Sequence, residues 1–312
     1  MEFGGNSHKA LTIVITTYNR KQPLLEQLQS IEKQGLFDKY NVIVSDNHSD
    51  YDVKKWLDAN LSDNFSQIVK VISKEYNVGG DMNILSTFMM PDTEWMWLLS
   101  DDDVTNPGSI EQVLYDIEAH KDCCWLKYSI SPKYGMYDDE EADSISSVFK
   151  NHRMKGRSCG LLVFLSNNVY KLPVIRKNYL SACMYNDTCM TQVQLPLLAI
   201  KRDQQKVWFS SKNLVTYTPN NGSYNRIYAL MRFGNILYSD LYLNRKEIRE
   251  FKRLTFFPVK AFVSEILNIQ NRKQRFEFFK KMYIAHYSVC SLKGLSLFFI
   301  YPLMFSFVRL KD

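Results

Sequence analysis

The chain has no Cys-X-X-Cys pair, no glycine-rich phosphate loop of the P-loop or Gly-X-Gly-X-X-Gly kind, and no internal repeat or low-complexity tract. Its six cysteines (Cys123, Cys124, Cys159, Cys183, Cys189 and Cys290) follow no metal-site spacing, and nothing before Leu11 resembles the apolar core of a secretory signal. Both absences point to a reduced, cytoplasmic setting. No uninterrupted apolar stretch reaches the roughly 20 residues that a spanning helix needs, although residues 295–308 are strongly apolar and are followed by Arg309 and Lys311. Without the two glycine fingerprints, the nucleotide folds built on them lose support.

What is present is the composition of a folded protein. Hydrophobic residues make up 46% and charged residues 23%, which argues against disorder, and 312 residues suffice for one large α/β domain or a core with a helical appendage. The formal charge of +6 is local, because residues 245–281 alone hold eleven Lys or Arg against four Asp or Glu. A solvated helix face, anionic lipid and nucleic acid are the partners such a segment can meet. Nucleic acid ranks last, since no recognition motif accompanies the basic residues.

From residue 11 to residue 125, short apolar runs alternate with longer amphipathic segments, the pattern of βαβ units. It predicts strands at 11–16, 41–45, 67–73, 95–99 and 123–128, with helices near 22–33, 51–60, 80–90 and 107–120 between them. Several strands are apolar at consecutive positions, as expected where helices cover both faces of a mostly parallel sheet. Ligands in such sheets bind at the carboxyl ends of the strands, so the residues that matter should follow each apolar run. Those residues are Thr16-Thr17-Tyr18-Asn19-Arg20, Asp46-Asn47-His48-Ser49-Asp50, Glu75-Tyr76-Asn77-Val78-Gly79-Gly80 and Ser100-Asp101-Asp102-Asp103.

Three adjacent aspartates at one strand end are costly unless a cation or a hydrogen-bond network neutralises them. Oxygen ligands suit Mg²⁺ or Mn²⁺, held by one or two carboxylates and substrate phosphates; the plainer alternative is that one aspartate caps the helix near Pro107. Asp46 is placed to accept from a base N–H or a ribose hydroxyl, or is an ordinary turn residue beside a capping Asp50. Gly79-Gly80 lets backbone approach a ligand and opens a helix whose amides favour an anion.

Taken together, Thr16 to Arg20, Val44 to Asp50, Asn77-Val78-Gly79-Gly80-Asp81-Met82-Asn83 and Leu99 to Asp103 resemble, in order and spacing, the motifs of inverting family-two glycosyltransferases of the GT-A fold, of the bacterial surface-polysaccharide type. The resemblance covers roughly residues 9–130 and fades after about 200. It implies an α/β, Rossmann-like GT-A domain, and the turn-forming cluster Asn220-Asn221-Gly222 sets the expected boundary between that domain at 1–220 and a C-terminal helical region at 221–312. It also implies a nucleotide pocket of Thr17, Tyr18, Arg20, Asp46, Asn77, Gly79, Gly80 and Asp101, and a DxD element whose Asp102 and Asp103 hold Mn²⁺ or Mg²⁺. The donor would be a UDP-, GDP- or dTDP-sugar, and the acceptor a glycan or lipid-linked oligosaccharide. A base is expected well after the DxD element, opening a helix, and Asp187 fits that place. His152 is a second candidate for acid/base work or nucleotide contact, while the aspartates between 138 and 143 are expected in a loop.

After Ser223, apolar residues at helical spacing (Ile227, Leu230, Met231, Ile236, Leu237, Leu241) predict helices packed on the core. Residues 276–308 mix aromatic, aliphatic and lysine residues as an interfacial helix does, which points to peripheral contact with the cytoplasmic face of a membrane, or to a dimer contact. The same carboxylates would also serve a nucleotidyltransferase or phosphohydrolase, or a non-catalytic nucleotide-binding member of the family.

Overall fold

The computed structural model describes residues 9–131, 135–154, 159–218, 229, 232–255, 269 and 271–282. Ten strands occur among them: β1 (Leu11–Thr17), β2 (Tyr40–Asp46), β3 (Val69–Ser73), β4 (Trp95–Ser100), β5 (Val104–Thr105), β6 (Cys123–Ser129), β7 (Glu140–Ala142), β8 (Asn168–Lys171), β9 (Lys206–Asn213) and β10 (Val215–Thr216). Eight build one sheet in the order β3-β2-β1-β4-β8-β6-β9-β7, and β5 pairs antiparallel with β10 beside it. The run β3-β2-β1-β4 is parallel, as is β6 with β9. β8 is inserted antiparallel between β4 and β6, and β7 forms an antiparallel edge.

The two-residue period of a strand divides the apolar residues between two layers. Val14, Ile43, Met96 and Leu98 pack on one face with Leu85 and Phe88, from the helix Gly80–Thr87 and its end. Ile13, Ile15, Val42, Val44, Trp97 and Leu99 pack on the other with Leu24, Leu28 and Ile31 of the helix Lys21–Glu32 and Ile110, Val113 and Ile117 of the helix Ser109–Ala119. Because both faces are covered, the strands read as continuous apolar runs. Each fully buried aliphatic side chain contributes about 1.5–3 kcal/mol.

The mostly parallel sheet and its helices match the expected α/β architecture, with local differences. The third strand starts at Val69, because Ser62 caps a helical turn, Asp63–Ser66, by accepting from the Phe65 amide at 3.4 Å. The helix before that turn is shorter than 51–60, running Val53–Asp58, and its cap is Asp52, which accepts from the Lys55 amide at 2.9 Å. Asp50 does not cap it; its amide instead donates to Asn19 Oδ1. The acidic stretch expected as a loop contains edge strand β7, where Asp139 accepts from the Ser211 amide at 2.7 Å. Charges on an edge also discourage pairing with another sheet.

Toward the C-terminus, the helix Arg245–Leu254 opens with a capping box of Asn244 and Glu247. Phe251 sets its ring 5.7 Å from Phe149 and 5.1 Å from Phe233, so this helix joins the first of the two apolar layers. Ile236 and Leu241 are buried as expected. Ile227, Leu230, Met231, the turn at 220–222 and residues 283–308 lie outside the described residues. Among the described residues, no helix is long and apolar enough to cross a membrane.

Candidate active site

Strand β1 sends the chain to β2 on one side, while β4 lies on its other side, so the strand order reverses at the carboxyl ends of β1 and β4. A crevice forms at such a switch point, and the register there sets Thr16 opposite Ser100. Thr17 donates from its hydroxyl to Asp101 Oδ2 at 2.7 Å. Arg20, at the N-cap position of the helix Lys21–Glu32, reaches Asp101 Oδ1 at 3.2 Å and Asp102 Oδ2 at 2.5 Å. Thr17 and Arg20, expected to line the nucleotide pocket, thus spend these donors on the acidic run.

The rest of the run is held as closely. Ser100 donates to Asp102 Oδ1 at 2.5 Å, and Ser166 donates to Asp103 Oδ2 at 2.5 Å. Burial pushes Asp101 up to about 6, against the Thr17 hydrogen bond and the Arg20 charge. Burial likewise pushes Asp103 up to about 7, with Asp102 adding repulsion and Ser166 opposing it. Three carboxylates with one arginine leave a surplus of buried negative charge, which a hard cation would neutralise. The three do not converge as a three-ligand cage. They suit instead the mode in which one or two carboxylates share the ion with phosphate oxygens, and Asp102 and Asp103 are the residues that would hold it. The capping alternative fails, because the helix Ser109–Ala119 has Gly108 at its cap position, with no capping side-chain bond.

The other strand ends join the same network. Asp46, 2% exposed, accepts through Oδ1 from the Ser49 amide at 3.0 Å and the Ser49 hydroxyl at 2.6 Å, while no described donor meets its Oδ2. Ser49 Oγ also accepts from the Asn19 amide, which couples the loops after β1 and β2. Asn47 donates to Asn77 Oδ1 at 2.8 Å and accepts from the Val78 amide at 3.0 Å, and Asn77 Oδ1 accepts from the Gly79 amide at 2.8 Å. Gly79 has φ +84°, which favours glycine, and an added Cβ at Gly79 or Gly80 would meet open space. Tyr18 is exposed at the rim. Tyr51 was not foreseen from the sequence: burial and the charges of Asp46 and Asp101 raise its hydroxyl to about 12.

Asp187 is exposed in a short 3₁₀ turn, Asn186–Thr188, three residues ahead of the helix Thr191–Asp203. It therefore does not open that helix directly, because Cys189 takes a left-handed conformation (φ 58°) between them. Asn235 donates to Asp187 Oδ2 at 3.0 Å. Arg232 donates to the Asp187 carbonyl at 3.0 Å and to Asp81 Oδ2 at 2.6 Å, tying the turn to the helix that follows Gly79-Gly80. Arg232 and Asn235 lie more than forty residues beyond Asp187 with no motif to mark them.

His152 is not part of this constellation. It is fully buried, donates from Nδ1 to the Val148 carbonyl at 2.8 Å, accepts from the Tyr137 hydroxyl at 2.6 Å and meets the ring of Phe209 edge-on. A second acidic group, Asp122 and Glu141 with Cys123, is bridged by Lys206 at 2.8 and 3.2 Å, while burial pushes the Cys123 thiol up to about 12; the group is an ion pair on the sheet edge.

Residues 12–165, which take in β1, the acidic run and Ser100, match the model of Glycosyl transferase family 2. The chain carries a family-two glycosyltransferase domain. A similar sequence is the abequosyltransferase RfbV of Salmonella typhimurium, 25% identical over 177 residues, or 56% of this chain. The match spans about half the length of that relative, 48%. Solved structures agree on the fold. Staphylococcus aureus TarS 1–349 in complex with UDP has a TM-score of 0.60 at 14% identity, covering 95% of this chain and 86% of that one. The mannosyltransferase PcManGT of Pyrobaculum calidifontis, in complex with GDP-Man and Mn²⁺, has a TM-score of 0.58 at 12% identity, covering 96% and 81%. The GT-A architecture read from the strand-end motifs is thereby shown.

Proposed function

We propose that this glycosyltransferase domain moves a sugar from a UDP-, GDP- or dTDP-sugar to a hydroxyl of a glycan or lipid-linked acceptor, with inversion, and that Asp102 and Asp103 hold Mn²⁺ or Mg²⁺. The observation that carries the reading is the surplus of buried carboxylate charge at the switch point of a family-two domain. Similarity to proteins complexed with UDP, or with GDP-Man and Mn²⁺, supports it.

Asp46 Oδ2 is the acceptor for a base N–H or a ribose hydroxyl, with Asn77 beside it. The open backbone at Gly79-Gly80 gives the diphosphate room at a helix start, and Arg20, Thr17 and Ser166 keep the carboxylates oriented. A divalent cation at Asp102 and Asp103 supplies charge stabilisation for the departing diphosphate. Asp187 takes the proton of the acceptor hydroxyl as its oxygen attacks the anomeric carbon, while the bond from that carbon to the β-phosphate oxygen breaks on the opposite face. For a lipid-linked acceptor, the basic and aromatic sequence of 276–308 suits contact with the cytoplasmic leaflet.

The test is titration calorimetry with UDP, GDP and dTDP, each with and without Mn²⁺, on the protein and on Asp102→Asn. Metal-dependent binding of one nucleotide, lost in the variant, is expected. Unchanged affinity of Asp102→Asn at saturating Mn²⁺ would refute the metal assignment.

A further inference from the structure

Lys127 lies in the middle of β6 with no exposed surface, and burial lowers its ammonium well below the ordinary lysine range. An isolated buried amine is expensive, and lysine is almost never fully buried without a partner of opposite charge. Its hydrogen-bond partners here are two neutral side chains: Nζ donates to Asn167 Oδ1 at 2.5 Å and to Asn168 Oδ1 at 2.8 Å. Trp125 Nε1 adds a further bond to Asn168 Oδ1 at 2.9 Å.

The two asparagines turn their amides on β6 and on the chain just before them. Asn167 Nδ2 donates to the carbonyls of Tyr128 and Leu161, at 2.7 and 3.2 Å. Asn168 Nδ2 donates to those of Phe164 and Leu165, at 2.6 and 2.7 Å. Ser166 sits at the centre of this pinned turn. It touches the acidic run from above β4, accepting from the Ser100 amide at 2.9 Å, donating to Asp103 at 2.5 Å, and receiving Trp97 Nε1 on its carbonyl at 2.9 Å. Because β8 is antiparallel to β4 and β6, the turn entering it falls at the carboxyl ends of those strands.

We propose that Lys127 is a positioning residue of the acidic centre: through Asn167 and Asn168 it fixes the 164–168 turn, and so fixes the Ser166 hydroxyl on Asp103. The proposal deepens the reading of Asp103 as a metal ligand and rests on it. An apolar residue of similar length would fill the same space in β6 but would take the Lys127 donor from Asn167 Oδ1 and leave Asn168 Oδ1 with Trp125 Nε1. Partners of metal-ligating carboxylates are worth about 10–100-fold in metal affinity, and Lys127 acts one link behind such a partner.

The experiment compares Lys127→Met, Ser166→Ala and the double variant. Three quantities are measured: Mn²⁺ affinity by calorimetry, nucleotide affinity in chelator, and hydrogen exchange at the Ser100 amide. Lys127→Met is expected to weaken Mn²⁺ about tenfold and to speed Ser100 exchange, with metal-free nucleotide binding unchanged, because Asp46 and Asn77 belong to other strand ends. In the double variant, Mn²⁺ affinity is expected to match Ser166→Ala alone. Wild-type Mn²⁺ affinity in folded Lys127→Met, or multiplying losses in the double variant, overturns the proposal. If Lys127→Met does not fold, Lys127→Leu, which likewise keeps no donor, takes its place under the same criteria. Absence of Mn²⁺ binding by the wild type both alone and with UDP, GDP or dTDP would defeat the metal reading first and this proposal with it, whereas Ser100 exchange reports the brace without any metal.

Discussion

Lowering the pH from about 8 to about 6 is expected to weaken Mn²⁺ binding about tenfold. The argument starts from Asp103, which burial raises to about 7 against the Ser166 hydrogen bond. A carboxylate must be ionised to bind a metal, so proton and cation compete for it. At a pH one unit below its pKa about one tenth of the group is ionised, which costs about 1.4 kcal/mol of apparent binding free energy. Asp101, at about 6, adds a further factor of about two where its ionisation is also required. For the metal-free protein the sign runs the other way. A carboxyl raised in the folded state stabilises fully below its unfolded value, here 3.8, and that stability is lost as pH rises through about 7. The metal-free protein should therefore become less stable between about pH 4 and about pH 7 from these groups, and Mn²⁺ should restore the loss. The assay is calorimetry with Mn²⁺ alone across this range, in buffers of differing ionisation enthalpy so that proton release is counted, beside melting curves with and without metal. A flat affinity, or one that falls with rising pH, would refute the reasoning.

Three further outcomes are expected. Asp187→Asn should lower kcat about 10²–10⁴-fold with donor affinity unchanged, measured as sugar transfer and nucleotide titration on the same preparation; a kcat within twofold of wild type rejects Asp187 as the base. Asp46→Ala should weaken nucleotide binding about tenfold or more through the lost charged hydrogen bond, while Mn²⁺ binding alone stays put, and equal nucleotide affinities would move the base pocket elsewhere. Gly79→Ala should cost about 1 kcal/mol or more, because φ +84° strains an L-residue although the space beside it is open. A denaturant midpoint unchanged from wild type would contradict that strain.

The parallel half of the sheet was legible because physics writes it into the sequence twice. Leu11 to Thr17 and Trp95 to Ser100 are buried on both faces, so they read as apolar runs, and polar residues begin where each strand leaves the core. Thr17, Arg20, Asp46 and the three aspartates all appear at those transitions. β7 was hidden, since an edge strand needs little apolar content and its Glu140-Glu141 reads as solvent. Ser166, Arg232 and Asn235 were hidden for another reason: each serves the site from an element remote in sequence, so spacing carries no record of the contact. Lys127 looked like an ordinary strand residue, and its burial depends on β8 and β9 closing around it. His152 was misleading because its partners, Tyr137 and Val148, are local and structural rather than catalytic.

The antiparallel course of β8 has a consequence for how such a domain can diversify. Since β6 and β8 are neighbours running in opposite directions, the chain leaves β6 and enters β8 at the same end of the sheet. Among the described residues of 130–167 the sheet gains edge strand β7, so this span can change together with that edge while β4, β6 and β8 keep their registers. Doubling such a loop costs only about 0.6 kcal/mol in closure entropy. The donor half, fixed by β1, β2 and β4, would be untouched by the exchange. Swapping this one span between related enzymes, with the Ser166-Asn167-Asn168 anchor retained, is therefore a graft that would test whether it reads the acceptor while β1, β2 and β4 stay unaltered.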